Sequence, residues 1–275
     1  MRILVTGGCG FIGSALVRYL LRRTDAEIVN LDKFTYAATP EALEEAPASP
    51  RYALERGDIA DGACVARVLA AHRPDALVNL AAETHVDRSI DAPAAFLQTN
   101  VVGTATLLDT ALAYWRAMPP AGREAFRFLH VSTDEVFGAL GEHGAFSEDS
   151  PYRPNSPYAA SKAASDHFVR AWGRTYGLAT LIGNCSNNYG PWQFPEKLIP
   201  LAIVKAVRGE RIPVYGEGRN VRDWLHVEDH ADALWRILTR GRPGESYNIG
   251  GGAERRNLEI VEAICDAIDR AQGVE

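Results

Sequence analysis

The chain has 275 residues, 47% hydrophobic and 23% charged, with a formal net charge of −6. That length and balance allow one large α/β domain, or a domain and a half, with a sizeable core. The acidic surplus argues against a nucleic-acid partner, which would ask for a basic face, and no run approaches the roughly 20 apolar residues of a membrane helix.

The N-terminus enters a strand directly, with no signal-peptide run, so the expectation is a soluble, cytoplasmic protein without a membrane partner. Cys9, Cys64, Cys185 and Cys265 include no Cys-x-x-Cys pair; reduced thiols, rather than a zinc site or disulfide framework, are expected.

In chain order, 2–6 is a short apolar run suited to a buried strand, and 11–23 has helical spacing. Strands are predicted at 27–32, 52–58 and 76–81, a long helix over 92–117 and a strand at 126–133. A helix over 156–176, capped by Ser156 with Pro157 at its first position, precedes a strand at 178–185. Strands with few alternating polar residues, separated by helices, imply a parallel sheet covered on both faces, the doubly wound Rossmann-type architecture. The texture changes after Asn187-Asn188-Tyr189-Gly190-Pro191. Helix 196–208, strand 212–215, helix 227–239, a strand near 247–251 and helix 258–271 make a smaller, interleaved C-terminal lobe. The predicted division is therefore 1–184 for the cofactor and 185–275 for the substrate. Residues 34–50 are a surface excursion.

Gly7-Gly8-Cys9-Gly10-Phe11-Ile12-Gly13 follows the first strand and opens the first helix. Both Gly8/Gly10/Gly13 and Gly7/Gly10/Gly13 fit dinucleotide-binding spacings in the required strand-turn-helix context. Absent side chains let the backbone approach a pyrophosphate at the helix N-terminus. Asp32, about 20 residues on, suits the ribose hydroxyls and repels a ribose phosphate, favouring NAD over NADP; Lys33 works against this slightly. Asp58-Ile59 flanks the adenine or is a surface turn.

Tyr158 and Lys162 lie four apart on one helix face. Tyrosine titrates near pH 10. A neighbouring ammonium and an oxidised nicotinamide favour the phenolate; working near pH 7 requires a shift of about 3 units, or ~4 kcal/mol. Val131-Ser-Thr-Asp-Glu-Val-Phe-Gly138 adds two adjacent acids, Asp134 and Glu135, at the end of a core strand.

With these features the chain resembles the extended short-chain dehydrogenase/reductase family. Ala81–Ser89, Ser132–Val136, Asn184–Pro191 and Phe194–Pro200 are similar to the dTDP-glucose 4,6-dehydratases within it, from residue 2 to the last helix. The resemblance implies NAD-dependent dehydration of dTDP-glucose to dTDP-4-keto-6-deoxyglucose: oxidation at carbon-4, loss of water across carbons 5 and 6, and return of hydride to carbon-6. It implies Asp134 as acid, Glu135 as base, Thr133 at the carbon-4 oxygen, and Tyr158 with Lys162 at the hydride step. It further implies cofactor contacts at Phe11, Ile12, Asp32, Lys33, Phe34, Thr35, Asp58, Ile59, Leu80, Ala81, Ala82, Glu83, Thr84, Thr99 and Asn188. Implied substrate contacts are Thr84, Asn187, Lys197, Leu198, Pro213, Val214, Tyr215, Arg222 and Asn257, with His85 bordering the sugar. Lys197 and Arg222 suit a diphosphate, or are exposed cations. A homodimer through 92–117 and 156–176 is implied as well.

Alternatives are a dehydratase of another nucleotide sugar and a non-catalytic NAD-binding module; the module is disfavoured by five reactive positions kept in register. No metal is expected. His226 and His230, with acids between, open a helix and read as structural, and the aromatic residues around 168–194 read as core. Cys9 replaces the family's usual small residue, and Phe137 stands where tyrosine is common. Family chains continue past the last helix with an Arg-Pro-Gly-His segment; ending at Glu275 implies an incomplete nucleotide end of the substrate site.

Overall fold

The computed structural model describes residues 1–141 and 144–273; Glu275 lies outside them. Strand β1 (Arg2–Thr6) leads through the glycine turn into α1 (Phe11–Arg23), followed by β2 (Glu27–Asp32), β3 (Tyr52–Arg56), α2 (Gly62–His72) and β4 (Ala76–Asn79). Next come short helices α3 (Val86–Asp91) and α4 (Pro93–Phe96), then α5 (Thr104–Ala117), α6 (Pro120–Ala125), β5 (Arg127–Thr133), α7 (Pro157–Tyr176) and β6 (Thr180–Cys185). The remainder is β7 (Asn187–Tyr189), α8 (Leu198–Val207), β8 (Val221–His226), α9 (Val227–Arg240), β9 (Ser246–Ile249), β10 (Glu254–Arg256) and α10 (Asn257–Gln272).

Seven strands form one parallel sheet in the order β3-β2-β1-β4-β5-β6-β9. Its strands bury both faces. Ile3 and Val5 join Leu16, Leu20 and Leu234 on one side, while Leu4 joins Leu69, Leu107 and Phe128 on the other. That is why these strands read as continuous apolar runs. Strand order reverses between β1 and β4, which opens a crevice at the carboxyl ends of the strands. β9 returns to this sheet beside β6, so the chain after residue 185 is interleaved with the part before it.

Several expectations change. Residues 212–215 form no strand. Pro213 has no N–H to give a ladder, and β8 already has both edges paired, by β10 and β7. That three-stranded sheet escaped the sequence reading because Val-Arg-Asp-Trp-Leu-His and Glu-Arg-Arg do not alternate. The helix read as continuous over 92–117 contains a π-helical stretch, Leu97–Gly103, between α4 and α5. The wider turn carries buried Thr99 and Asn100. The 34–50 excursion is anchored by buried Ala42, Leu43 and Ala46. α7 begins and ends as its residues dictate: Ser156 accepts from the Ala159 N–H at 3.0 Å, and Gly177 closes it at φ 74°.

Candidate active site

The crevice is a cavity of about 290 Å³ running from the glycine turn to Lys197. At its floor the backbone is packed too closely for side chains. A Cβ on Gly13 would lie 2.1 Å from the Gly7 carbonyl oxygen, and one on Gly7, already at φ +70°, 2.7 Å from the Ala81 nitrogen. Gly8 is equally closed, by Asn30, so both glycine spacings are built into the turn. The N-cap Gly10 gives no side-chain bond to the first turn of α1, leaving its N–H groups for an anion. Asp32, buried at the end of β2, accepts from the Cys9 N–H at 2.9 Å and the Phe34 N–H at 2.8 Å. It ties the glycine turn to the next loop, where Phe34 takes φ 59°, and keeps lone pairs for a ribose. Lys33 sits 3.4 Å from Asp58 and 3.2 Å from Thr99, so its charge is matched by an acid. A turn without side chains, a helix N-terminus and a buried acid one strand away fit a dinucleotide.

The walls bring together Gly7, Gly10, Phe11, Ile12, Gly13, Asp32, Lys33, Thr35, Asp58, Ile59, Leu80, Ala81, Ala82, Glu83, Thr84 and Thr99. Thr133, Glu135, Tyr158, Lys162, Asn187, Asn188 and Lys197 complete the predicted set found there. Phe34, His85, Asp134, Leu198, Pro213, Val214, Tyr215, Arg222 and Asn257 are outside the lining. Tyr215 is 77% exposed. His85 instead caps α3, accepting from the Arg88 N–H, and approaches Glu196 at 3.7 Å.

β5 ends at Thr133 and turns through a single 3₁₀ turn, Asp134–Phe137. The Thr133 hydroxyl accepts from the Glu135 N–H at 3.2 Å and donates to Asp134 at 3.4 Å. Burial first, and then the adjacent Glu135 charge, push the Asp134 carboxyl up to about 6. Burial raises Glu135 too, opposed by Arg222 and Lys197. Arg222 therefore acts electrostatically on both acids although it lies outside the lining. Lys197 donates to the Thr84 carbonyl at 3.1 Å.

Tyr158 is buried, and burial, Glu135, Cys185 and Asp134 together hold its phenol well above pH 10; only the Thr133 hydroxyl acts in the opposite sense. The Lys162 ammonium is turned to the Val131 carbonyl, 2.8 Å away, and to His130 at 3.4 Å. In this state the tyrosine is a phenol.

Residues that the sequence reading missed hold this arrangement. Asn100, on the π-helical stretch, accepts from the Glu83 N–H at 2.8 Å and donates to the Glu83 carbonyl and the Ser161 hydroxyl. It clamps the loop after β4 to α7. Gln193, Phe194 and Glu196 close the far wall, with Arg88 over the Tyr36 ring and 3.5 Å from Glu196. An asparagine inside an apolar helical run was the available signal for the first; the others depend on loops meeting in space. His230 is buried against Asn188 at 2.8 Å, and burial pushes its pKa down to about 3. His226 caps α9. Among the described residues no cluster of three or more His, Cys, Asp or Glu is placed to hold a metal.

Residues 4–275 match the family model described as GDP-mannose 4,6 dehydratase. The chain is 58% identical over 269 residues to dTDP-glucose 4,6-dehydratase of Neisseria meningitidis serogroup B, covering 98% of this chain and 76% of that protein. It is 54% identical to dTDP-glucose 4,6-dehydratase 1 of Escherichia coli K12, covering 98% and 77%. The crystal structure of a dTDP-glucose 4,6-dehydratase from Streptomyces venezuelae with NAD and TYD bound matches with a TM-score of 0.90 at 47% identity, covering 98% of this chain and 81% of that one.

Proposed function

The chain belongs to the dTDP-glucose 4,6-dehydratase family, and from that premise we propose that it converts dTDP-glucose to dTDP-4-keto-6-deoxyglucose with NAD. The observation that carries this reading is the placement of Glu135 and Tyr158 in one cavity with the glycine turn, with Asp134 directly before Glu135 in sequence.

NAD would be held by Gly7, Gly10, Phe11, Ile12 and Gly13 at its diphosphate and by Asp32 at a ribose. Lys33, Phe34, Thr35, Asp58, Ile59 and Thr99 would surround the adenosine end, and Leu80–Thr84, Asn188, Tyr158 and Lys162 the nicotinamide end. When bound, NAD supplies a hydride acceptor that later returns the hydride, and while oxidised a positive charge that favours a phenolate. Tyr158 takes the proton of the carbon-4 hydroxyl, and Thr133 hydrogen-bonds the same oxygen. Glu135 then removes the carbon-5 proton. Asp134 donates a proton to the departing carbon-6 hydroxyl, so that water leaves and charge balances. Lys197 and Arg222 are the cations for the substrate diphosphate. Residues 1–184 form the cofactor part and 185–275 the substrate part. The four unpaired thiols support placement in the reducing cytoplasm.

The test is to incubate the protein with NAD and dTDP-glucose and follow the sugar nucleotide by mass spectrometry, with UDP- and GDP-glucose in parallel. Loss of one water from dTDP-glucose without net NADH is the expected result. Water loss only from another nucleotide, or none from any, removes the assignment.

A general acid must carry its proton, and the raised Asp134 value stops at about 6. Turnover is therefore expected to fall as pH climbs above about 6. Stability follows the same sign. The folded state binds this proton more tightly than the unfolded chain, so the acid costs stability as pH rises from about 4 through 6. Asp134→Asn, which mimics the protonated form, should melt higher than the parent at pH 8 and no higher at pH 4. Equal melting differences at both values would contradict the shift.

We also propose a homodimer. Leu97 and Val102, on and beside the π-helical stretch, and Phe168 and Tyr176 on α7 are exposed at 56%, 45%, 36% and 42%. Large apolar groups exposed on neighbouring helices support a face that a second copy covers. Light scattering should give twice the chain mass, and Leu97→Asp should halve it; a monomeric parent removes the proposal.

A further inference from the structure

Behind Tyr158 and Lys162 lie two buried ionisable residues that the chemistry above does not use. His130 is 1% exposed and Asp166 is 0% exposed. Their hydrogen bonds indicate their states. The Thr6 hydroxyl accepts from the Ala81 N–H and donates to the Asn79 oxygen, at 2.6 Å. Asn79 consequently turns its NH₂ to His130 Nδ1, 3.1 Å away. That nitrogen must accept, so His130 is neutral with its proton on Nε2. Nε2 lies 3.4 Å from Lys162 Nζ and 3.5 Å from Asp166 Oδ1. Asp166 Oδ1 has no other partner and can accept the Nε2 proton whatever the state of the lysine. The other carboxyl oxygen of Asp166 accepts from Ser132 at 2.8 Å, Tyr152 at 2.8 Å and Asn184 at 3.3 Å. Three donors converge on one carboxyl oxygen and the Lys162 charge acts with them to favour the carboxylate, against burial, which is the larger influence and raises Asp166.

We propose that Asp166 is the counter-ion of Lys162, a positioning residue whose carboxylate, across the neutral imidazole of His130, keeps the lysine protonated inside the protein. Lys162 is 4% exposed. An ammonium removed from water loses its proton unless an opposite charge is held near it. Burial does push Lys162 down, and Asp166 is the first influence acting to raise it. Tyr158, Lys162 and Asp166 occupy successive four-residue steps of α7, so one helix face carries the phenol, the cation and its counter-charge. The other ionisable groups in reach are Cys185 of β6, which also acts on Lys162, and Tyr152, which accepts from Arg170 at 2.9 Å on the far side of Asp166. Glu135 and Asp134 act on Tyr158 from the end of β5.

The role in turnover rests on the dehydratase reading; the protonation state does not, and the two tests separate them. The first is Asp166→Asn. Asparagine keeps an acceptor for Ser132, Tyr152 and Asn184, removes the charge, and turns an NH₂ group in place of Oδ1 toward His130 Nε2. In a Glu135→Gln background, where the reduced-nicotinamide burst reads oxidation before the Asp134 step, NAD binding should persist and the alkaline limb of the burst rate should move down by about 1–3 pH units. The burst rate should drop at least about tenfold at pH 8 and recover toward that of Glu135→Gln alone at pH 6. A rate lowered equally at every pH, or an unmoved limb in a folded variant, overturns the proposal.

The second uses the unaltered protein, and decides the matter even if the variant does not fold or the parent acts on a different sugar. NMR titration of the Lys162 ¹⁵Nζ and Asp166 ¹³Cγ signals should find ammonium and carboxylate together at pH 7. A neutral amine or a protonated Asp166 at that pH overturns it.

Discussion

Replacing Glu135 with glutamine should lower dehydration by about 10²–10⁴-fold while sparing the oxidation step. Glutamine has the same shape and no basic lone pair of carboxylate strength, so the carbon-5 proton stays in place. Tyr158 and Thr133 are untouched. A burst of reduced-nicotinamide absorbance, matched by a 4-keto sugar that has not lost water, should therefore accumulate on mixing the variant with substrate. The parent should show no such build-up, because elimination and hydride return follow. The fold should tolerate the change. The Glu135 N–H, not its carboxylate, makes the bond to Thr133 that shapes the turn, and burial already disfavours the charge. Unchanged turnover in a folded variant would remove Glu135 as the base.

Tyr158→Phe should fail one step earlier. Without the phenolic oxygen nothing accepts the carbon-4 proton, and the oxidation rate should fall by a similar ~10²–10⁴-fold, about 3–5 kcal/mol of barrier. No reduced-nicotinamide burst should appear, in contrast to the glutamine variant. The ring's edge-on contact with Phe96, centroids 6.3 Å apart, survives the substitution. A melting temperature within a few degrees of the parent's is accordingly expected. If the phenylalanine variant instead oxidises substrate at the parent rate, the proton goes elsewhere and the reading of the tyrosine fails.

The two variants separate because the site divides its labour between two elements. The strand end of β5 presents Thr133, Asp134 and Glu135, and α7 presents Tyr158 and Lys162. Both elements were legible in the sequence. The stretch 126–133 reads as a strand, and Ser156-Pro157 announces the start of α7. The glycine turn was legible for the same local reason: a strand, a run of glycines and a helix allow little else. The exposed Tyr215 and the missing strand at 212–215 show where local reading failed: Pro213 has no N–H to give a ladder, and β8 pairs with β10 and β7 instead.

What the sequence determined by itself was the doubly wound sheet and the glycine turn, because strands, glycines and helices announce themselves in residues within a few positions of one another; the roles proposed for Thr133, Asp134, Glu135, Tyr158 and Lys162 rest on the resemblance. Only the tertiary structure decided their electrostatics. Lys162 turns toward Val131 and His130, and Asp166, four residues further along, meets donors from β5, β6 and the loop before α7. Burial and charge neighbours are sums over residues distant in the chain, and no spacing rule contains them.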